Sequence, residues 1–258
     1  MNRMRRAFRF IADSFSFSNP LELIAVKALT HGALLTYRYK GYRIASCEIA
    51  CRDDMAVKEC LVKKTYRAAL ERSRPSGRGR YVNIGAHIGA FDVAAHGTWG
   101  RETRGVSVEM NPWTYARLVH NIYWNRLNVR PVHAAVTGQK GVVMVDPLRS
   151  HTGQSIFDRA EGSGLVEVPS IPLSDVPDPE PGAPIDLLKI DCEGAEYQLV
   201  LGARPEDFGR FRHIVMELHA PPPGREKQEV IRHLREQGRF QVETLTEGIH
   251  SLIFCFRK

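Results

Sequence analysis

The sequence of 258 residues predicts an α/β fold around a parallel sheet, of the kind that binds nucleotide-like cofactors. In the segment RYVNIGAHIGAFDVAAH, Arg80 to His96, strand-forming residues end at a glycine turn, and apolar residues then recur at helical spacing. About 20 residues after that turn a second strand, GVSVEMNP, ends in Glu109. Strand and helix patterns then alternate along the chain, which is typical of α/β folds with a parallel sheet.

The glycine turn after the first strand predicts where a cofactor binds. Gly85 can adopt a backbone conformation closed to other residues, and Gly89 lets a ligand or the next helix approach closely. A turn between the carboxyl end of a strand and the start of a helix receives adenosine-type cofactors. The spacing Gly85-x-x-x-Gly89 differs from the dinucleotide pattern G-x-G-x-x-G. No lysine followed by Ser or Thr comes after this turn, so it does not match a P-loop either.

The acidic residue at the end of the second strand is the predicted ribose ligand. Glu109 is placed to accept hydrogen bonds from both ribose hydroxyls. The alternative is that Glu109 only caps the helix that starts near Pro112, although Asn111 could do this in its place.

The remaining elements follow from hydrophobic periodicity and turn residues. In chain order they are a helix over 112–126, a strand over 128–136, short β-like pieces (GVVMV, QSIF and LVEVPSIPL), a strand over 185–192, a helix in EGAEYQLVLGA, a strand over 211–219, a helix over 225–237, and a final hairpin made of RFQVETLT and SLIFCFRK. The strand IDLLKIDC is almost wholly apolar, as a central parallel strand must be. We therefore expect seven main strands with helices between the first five.

Two regions are expected along the chain: an α/β preamble over residues 1–79 and a cofactor-binding domain over residues 80–258. The preamble has a basic start, an antiparallel strand pair around Lys40-Gly41 and a helix from Met55 to Arg72. The segment RSRPSGRGR links it to the domain. A preamble packed over the cofactor cleft would be the natural part of the chain to choose an acceptor.

Several segments together resemble a known family, the FkbM-type class I S-adenosylmethionine (SAM) methyltransferases. The similar pieces are NIGAHIG, VSVEMNP, HAAVTGQKG, VPSIPLSDV, IDLLKIDCEGAEYQLVLGA and IVMELH. The resemblance covers roughly residues 80–220 and implies a Rossmann-like, seven-stranded mixed sheet in the order 3-2-1-4-5-7-6. It also implies that SAM is the cofactor and that a hydroxyl of a sugar, a glycan or a secondary metabolite is methylated.

The resemblance also assigns the cofactor-binding residues. These are Asn83, Gly85, Ala86, His87, Gly89, Glu109, Met110 and Ala135, with Ala135 against the adenine. The first family motif usually has Asp before the glycine turn and Asn within it, where this chain has Asn83 and His87. Asn83 can still accept a hydrogen bond from the SAM amino group, without the charge of an aspartate.

Candidate catalytic residues lie at the ends of the fourth and fifth strands. Asp191 and Glu193 end one strand, and Glu217 and His219 end the other, so the four are expected to lie beside the cofactor cleft. They would position a hydroxyl and remove its proton, with His219 as a proton acceptor near neutral pH. Alternatively Asp191, Glu217 and His219 could hold Mg²⁺ or Mn²⁺ that binds the acceptor oxygen.

Composition and charge bear on partners and location. The formal charge is +7. The first residues include four arginines, Arg3, Arg5, Arg6 and Arg9, and the apolar residues between them share one helical face. This pattern favours a membrane-surface helix or a helix packed on the domain. No run of 18 apolar residues indicates a membrane span. The five cysteines form no disulfide framework or zinc pattern, so we expect a cytoplasmic protein.

Two other functions stay open on sequence grounds. The positive charge suggests a nucleic-acid methyltransferase, but the basic residues are scattered and no accessory RNA-binding motif is present. The departures from the family motif at Asn83 and His87 suggest a SAM-binding partner protein without activity. The presence of the candidate site residues argues against this alternative; they are Glu109, Asp191, Glu193 and His219.

Overall fold

The structure is a computed structural model that describes residues 3–30, 34–47, 53–148, 164–248 and 250–257. Its helices are α1 (Arg3–Ser14), α2 (Pro20–Thr30), α3 (Asp53–Val57), α4 (Arg67–Arg72), α5 (Ala90–Trp99), α6 (Pro112–Trp124), α7 (Glu196–Gly202), α8 (Pro205–Phe208) and α9 (Lys227–Glu236), with a π-helical turn at Lys58–Val62. Its strands are β1 (Leu34–Tyr39), β2 (Tyr42–Cys47), β3 (Arg80–Ile84), β4 (Arg104–Glu109), β5 (Asn128–His133), β6 (Ala135–Thr137), β7 (Gly141–Val145), β8 (Val166–Pro172), β9 (Ile185–Ile190), β10 (Phe211–Leu218), β11 (Gln241–Thr246) and β12 (Ser251–Phe256).

The main sheet has seven strands in the order β5-β4-β3-β9-β10-β12-β11. From β5 to β10 neighbouring strands are parallel, while β12 runs antiparallel to both β10 and β11. Numbered along the chain within this sheet, the order is 3-2-1-4-5-7-6, the order that the resemblance implies. β9 lies at the centre and is buried at every position, which explains its apolar sequence.

Strands β6, β8 and β7 form a second, three-stranded sheet in that order, and its presence shows that one prediction from the sequence is wrong. The segment 128–136 was expected to be one strand, but it divides between the two sheets at Ala134. The amide of Ala134 still donates to the carbonyl of Glu109, and Ala135 then pairs with Ser170 of β8. The predicted piece QSIF lies outside the residues that the structure describes.

The N-terminal segment contains the predicted hairpin, β1 and β2, which turns at Lys40-Gly41. The predicted continuous helix from Met55 to Arg72 is wrong, because the chain forms α3, then the π-helical turn, then the separate helix α4. The break follows from Lys64, whose φ of 56° lies outside the helical region. Of the apolar residues in this stretch that are expected to face inward, five are buried and Val62 is partly buried; the five are Val57, Leu61, Tyr66, Ala69 and Leu70.

This N-terminal segment packs on one face of the main sheet, against α5 and α6. A single apolar cluster joins Phe10, Tyr37 and Ile44 to Phe91 of α5 and Leu118 of α6. As a result, the segment reaches the carboxyl edge of the sheet, where the predicted site residues lie.

The basic helix α1 contacts this cluster through Phe10, which is buried. Phe8 and Ile11 of the same helix are exposed, as is Phe15 in the turn directly after it. Surface contact with a membrane thus stays a prediction. Among the described residues, no helix is both long and apolar enough to cross a bilayer.

Candidate active site

A cleft of about 760 Å³ opens at the carboxyl ends of β3, β4 and β9. The residues around it are Ala56, Glu59, Ile84, Gly85, His87, Val108, Glu109, Met110, Ala134, Ala135, Val136, Asp191, Cys192, Glu193 and Ala195. The lining combines apolar side chains with carboxylates, and Glu59, Asp191 and Glu193 lie near one another on the acidic side of the cleft.

The glycine turn forms the floor of this cleft. The amides of Gly85 and Ala86 both donate to the carbonyl of Val108, at 3.0 Å each. Gly85 has a φ of +72°, and a Cβ there would lie 1.7 Å from the carbonyl oxygen of Asp191. Only glycine therefore allows the turn to lie against the end of β9.

Glu109 is held in place by backbone amides. Its two carboxylate oxygens accept hydrogen bonds from the amides of His87 and Asn111, each at 2.9 Å. Burial raises the pKa of Glu109, and these two bonds oppose that rise by stabilising the charged form. The helix cap is instead Asn111, whose side-chain oxygen accepts from the amides of Trp113 and Thr114. Glu109 is thus free of the capping role and faces the cleft.

The predicted cofactor residues divide into two groups. Gly85, His87, Glu109, Met110 and Ala135 line the cleft. Asn83, Ala86 and Gly89 are buried behind it.

The buried group has other contacts. The Asn83 amide nitrogen lies 3.3 Å from a carboxylate oxygen of Asp92 on α5, and the Asn83 side-chain oxygen has no hydrogen-bond partner among the described residues. A Cβ on Gly89 would lie 3.1 Å from Leu118 Cδ1, so this glycine allows α5 to pack closely on α6.

His87 places a neutral ring at the cleft. Burial lowers its pKa to about 3, and the nearby charge of Arg117 acts in the same direction. Its backbone has a φ of 51°, which turns its amide toward Glu109.

Asp191, at the end of β9, is paired with Lys189 and Tyr66. Lys189 Nζ lies 3.4 Å from the Asp191 carboxylate, and the Tyr66 hydroxyl donates to the same oxygen at 2.9 Å. Burial alone would raise the pKa of Asp191, but the charges of Lys189 and His219 and the Tyr66 hydrogen bond hold it below its usual value. Asp191 is therefore an ionised carboxylate at neutral pH.

Glu217, near the end of β10, is shifted in the opposite direction. Its Oε2 lies 3.4 Å from the Tyr66 hydroxyl, across from Asp191. Burial and the charge of Asp191 raise the pKa of Glu217 to about 7. Glu217 can thus take up or release a proton near neutral pH.

His219 lies among three carboxylates. Its Nδ1 is 3.0 Å from Glu196, and its Nε2 is 3.4 Å from Glu193 and 3.9 Å from Asp191. Burial would lower the pKa of His219, but Glu196 and then Asp191 and Glu193 outweigh it and raise the pKa to about 9. At neutral pH His219 therefore carries a proton, in contrast with the acceptor role expected from the sequence.

Sequence reasoning missed several residues that shape this site. Glu59 lines the cleft from the π-helical turn, and Tyr66 begins α4, so both come from the preamble. Lys189 was visible as the one cation within a mostly apolar strand, a pattern that indicates a buried ion pair. Glu196 was interpreted as a helix-start residue, but it is fully buried and accepts from the amides of Cys192 and Gly194 as well as contacting His219.

The residues of the cleft fit SAM. Glu109 is a buried, oriented carboxylate of the type that binds a ribose diol, and Val108, Ala134 and Ala135 offer apolar surface for an adenine. Glu59, Asp191 and Glu193 provide negative charge for a positively charged sulfonium.

Comparison with known proteins agrees with this geometry. The sequence matches the methyltransferase FkbM domain over residues 83–240. No curated protein sequence shows significant similarity to the chain.

Among solved structures, the chain is similar to precorrin-6y C5,15-methyltransferase from Geobacter metallireducens, with a TM-score of 0.45, 14% identity, and coverage of 78% of this chain and 92% of that one. It is also similar to magnesium protoporphyrin IX methyltransferase from Synechocystis with bound SAM, with a TM-score of 0.48, 9% identity, and coverage of 80% and 83%. A third similar structure is Aeropyrum pernix fibrillarin in complex with SAM, with a TM-score of 0.45, 15% identity, and coverage of 86% and 82%.

The match to the FkbM domain extends over more than half of the chain and includes both the glycine turn and the cluster around Asp191 and His219. The chain therefore belongs to the FkbM methyltransferase family and is a SAM-dependent methyltransferase.

Proposed function

We propose that this protein transfers the methyl group of SAM to a hydroxyl oxygen of a sugar, a glycan or a secondary metabolite. The observation that supports this most strongly is Glu217, a carboxyl with a pKa of about 7 beside the carboxylates of the cleft. A hydroxyl must lose its proton as the new bond forms, and a side chain that titrates near the working pH is suited to take that proton.

The cofactor is held by the residues of the glycine turn and β4. When bound, SAM supplies a methyl group made electrophilic by a positively charged sulfur. Glu109 binds the ribose hydroxyls, and Ala135 lines the adenine. His87 contributes its backbone amide to orient Glu109 and a neutral ring to the cleft wall.

The acceptor hydroxyl binds on the acidic side of the cleft. Asp191, ionised and fixed by Lys189 and Tyr66, orients the acceptor by accepting a hydrogen bond from a polar group beside the reacting hydroxyl, which leaves the proton of that hydroxyl for Glu217. Glu217 takes the proton. His219, held as an imidazolium by Glu196, keeps the neighbouring carboxylates in position and offsets their charge.

A metal that binds the acceptor oxygen is the alternative to Glu217. Ligand atoms of Asp191, Glu196 and His219 lie within 4.8 Å of one another, as do those of Glu217, His219 and His250. In the first set, however, Glu196 already bonds two amides and the ring of His219. We therefore favour the base, and unchanged turnover after treatment with EDTA is the expected result.

The preamble takes part in acceptor choice. Ala56 and Glu59 come from residues 1–79 and line the cleft opposite the cofactor-binding turn. We expect variants at Glu59 to change which acceptor is used before they change cofactor binding.

The first test is titration of the purified protein with S-adenosylhomocysteine. Removal of the ribose ligand in Glu109→Ala should weaken binding at least tenfold, because two charge-assisted hydrogen bonds are lost, at about 1.5–3 kcal/mol each. The matched control is Glu102→Ala, which removes an exposed carboxylate and should leave binding unchanged.

The second test identifies the methylated atom. The protein is incubated with SAM carrying a ¹³C-methyl group and a panel of sugars and hydroxylated metabolites, and the product is examined by NMR. A methyl chemical shift typical of an ether supports the proposal. Transfer to nitrogen or carbon would contradict it while leaving the methyltransferase assignment intact.

A further inference from the structure

A second large cavity lies on the other side of the π-helical turn from the cofactor cleft. This groove has an empty volume of about 1110 Å³ and lies between the β1–β2 hairpin, α4 and α5. Small or apolar residues form its floor, namely Leu70, Ala94, Gly97 and Thr98. Its rim carries the cations Lys40, Lys64, Arg67 and Arg74, together with Tyr39, Cys60 and Glu71.

The positive charge of this groove is largely uncompensated. Arg67 is paired with Glu71 at 2.7 Å, which accounts for the carboxylate on the rim. Lys40 lies 5.5 Å from the centre of the Tyr39 ring. Within the described ranges of the chain, Lys64 and Arg74 have no carboxylate at ion-pair distance. The groove therefore offers three cations to an anionic ligand.

Two of these cations are placed by unusual backbone conformations. Lys40 has a φ of 48° in the hairpin turn, and Lys64 has a φ of 56° at the break before α4. These conformations are uncommon for residues other than glycine and are favoured here by the surrounding turns. The two lysines thus extend over the same groove from separate elements.

We propose that this groove binds the phosphate groups of a small phosphorylated ligand. Several Lys and Arg side chains around one concave site are the usual partners of phosphate oxygens. The groove is bounded on three sides by separate elements and has a floor of small side chains, a shape that suits a compact polyanion better than an extended strand of nucleic acid.

The groove is distinct from the cofactor cleft but shares a wall with it. Glu59 of the π-helical turn lines the cleft, while its neighbour Cys60 lines the groove. The proposal does not depend on which atom is methylated, since it concerns a different surface.

The test uses inorganic pyrophosphate and isothermal titration of the full chain at low ionic strength. The groove variant Lys40→Ala/Lys64→Ala is compared with Arg130→Ala/Lys140→Ala, which removes two exposed cations elsewhere. We expect one pyrophosphate per chain in the wild type, affinity at least tenfold weaker in the groove variant, and no change in the control. Binding of S-adenosylhomocysteine by each variant shows that it is folded.

Three results would overturn the proposal: no pyrophosphate binding, equal affinity in the groove variant, or binding of a single-stranded oligonucleotide in place of pyrophosphate. The source of the phosphate is decided with phosphatidylcholine vesicles that contain phosphatidic acid. Cosedimentation that requires Lys40 and Lys64 indicates a lipid headgroup, and pyrophosphate binding without cosedimentation indicates a free ligand.

Discussion

Asp191 and Glu217 contact the same tyrosine hydroxyl, yet their pKa values move in opposite directions. Lys189 and His219 favour the charged form of Asp191, whereas Glu217 is buried beside that charge. Because Tyr66 donates its hydrogen to Asp191, the Tyr66 oxygen remains able to accept a hydrogen bond from Glu217 when that carboxyl is protonated. One hydroxyl thus allows two carboxyl groups to hold different protonation states.

The pH dependence of turnover should follow the protonation of Glu217. Glu217 is protonated below its pKa of about 7 and becomes a base above it, so kcat should rise as the pH increases through about 7. Glu217→Gln should lower kcat by about 10²–10⁴-fold and remove this step from the pH profile. The control is the exposed Glu226→Gln. A full pH step in Glu217→Gln would assign the proton to another group.

Protonation of His219 should make the stability of the folded protein depend on pH. Its folded-state pKa of about 9 lies above the ordinary value of 6.5, so protonation stabilises the folded state fully below pH 6.5 and this contribution is lost as the pH rises through about 9. The free energy of unfolding should therefore fall over that interval in the wild type and fall less in His219→Gln. The exposed His120→Gln should behave like the wild type, and identical pH profiles for all three proteins would refute the interpretation.

Among the elements, α6 connects the preamble to the glycine turn. Asn121 of α6 accepts from the amide of Ala45 at 2.8 Å and donates to the carbonyls of Ala45 and Ile88. One side chain thus ties strand β2 and the cofactor-binding turn to the same helix. The position of the preamble over the sheet depends in part on these three hydrogen bonds.

Replacement of this side chain by Asn121→Ala should cost roughly 3 kcal/mol in the free energy of unfolding, because buried backbone groups lose their partners. Chemical denaturation measures this directly. The comparison is Asn128→Ala, which loses one exposed hydrogen bond to Arg101 and should change stability by about 0.5 kcal/mol or less. Similar losses for the two variants would show that Asn121 does not join these elements.

At the scale of the whole molecule, a buried ion pair joins the preamble to the cofactor-binding part. Asp53 of α3 is fully buried and lies 2.7 Å from Arg117 Nε of α6. Arg117→Leu alone should destabilise the protein by about 3–5 kcal/mol, since a buried charge loses its partner. The double variant Asp53→Asn/Arg117→Leu should be more stable than Arg117→Leu, as measured by thermal and chemical unfolding. A double variant that is less stable would contradict this.

Much of the fold could be predicted because the hydrophobic pattern of the sequence identifies most of its strands. β9 is buried at every position and apolar at four of its six, and the glycine turn and Glu109 lie at recognisable strand ends. The division at Ala134 could not be predicted, since it depends on which sheet supplies the next hydrogen-bonding partner. The candidate site residues at strand ends were predicted from the same pattern that located the strands.

The parts of the site that escaped prediction depend on tertiary contacts. Glu59 and Tyr66 are far from the cofactor motifs in the sequence, and only the packing of the preamble brings them to the cleft. The protonation of His219 depends on Glu196, whose side chain turns inward instead of toward solvent. Periodicity indicates which residues are buried but not which charges meet.

The π-helical turn at Lys58–Val62 has a consequence for how acceptor preference can evolve. Such a turn amounts to an α-helix with one additional residue. Loss of a single codon within it would restore regular helix, leave the flanking residues in register, and change which side chains of the turn face the cleft and the groove. The wall shared by the cleft and the groove would then present different residues to each, while the cofactor-binding turn stayed unchanged. On the proposed role of the preamble in acceptor choice, one in-frame deletion would therefore change acceptor preference and leave the residues proposed to bind SAM in place.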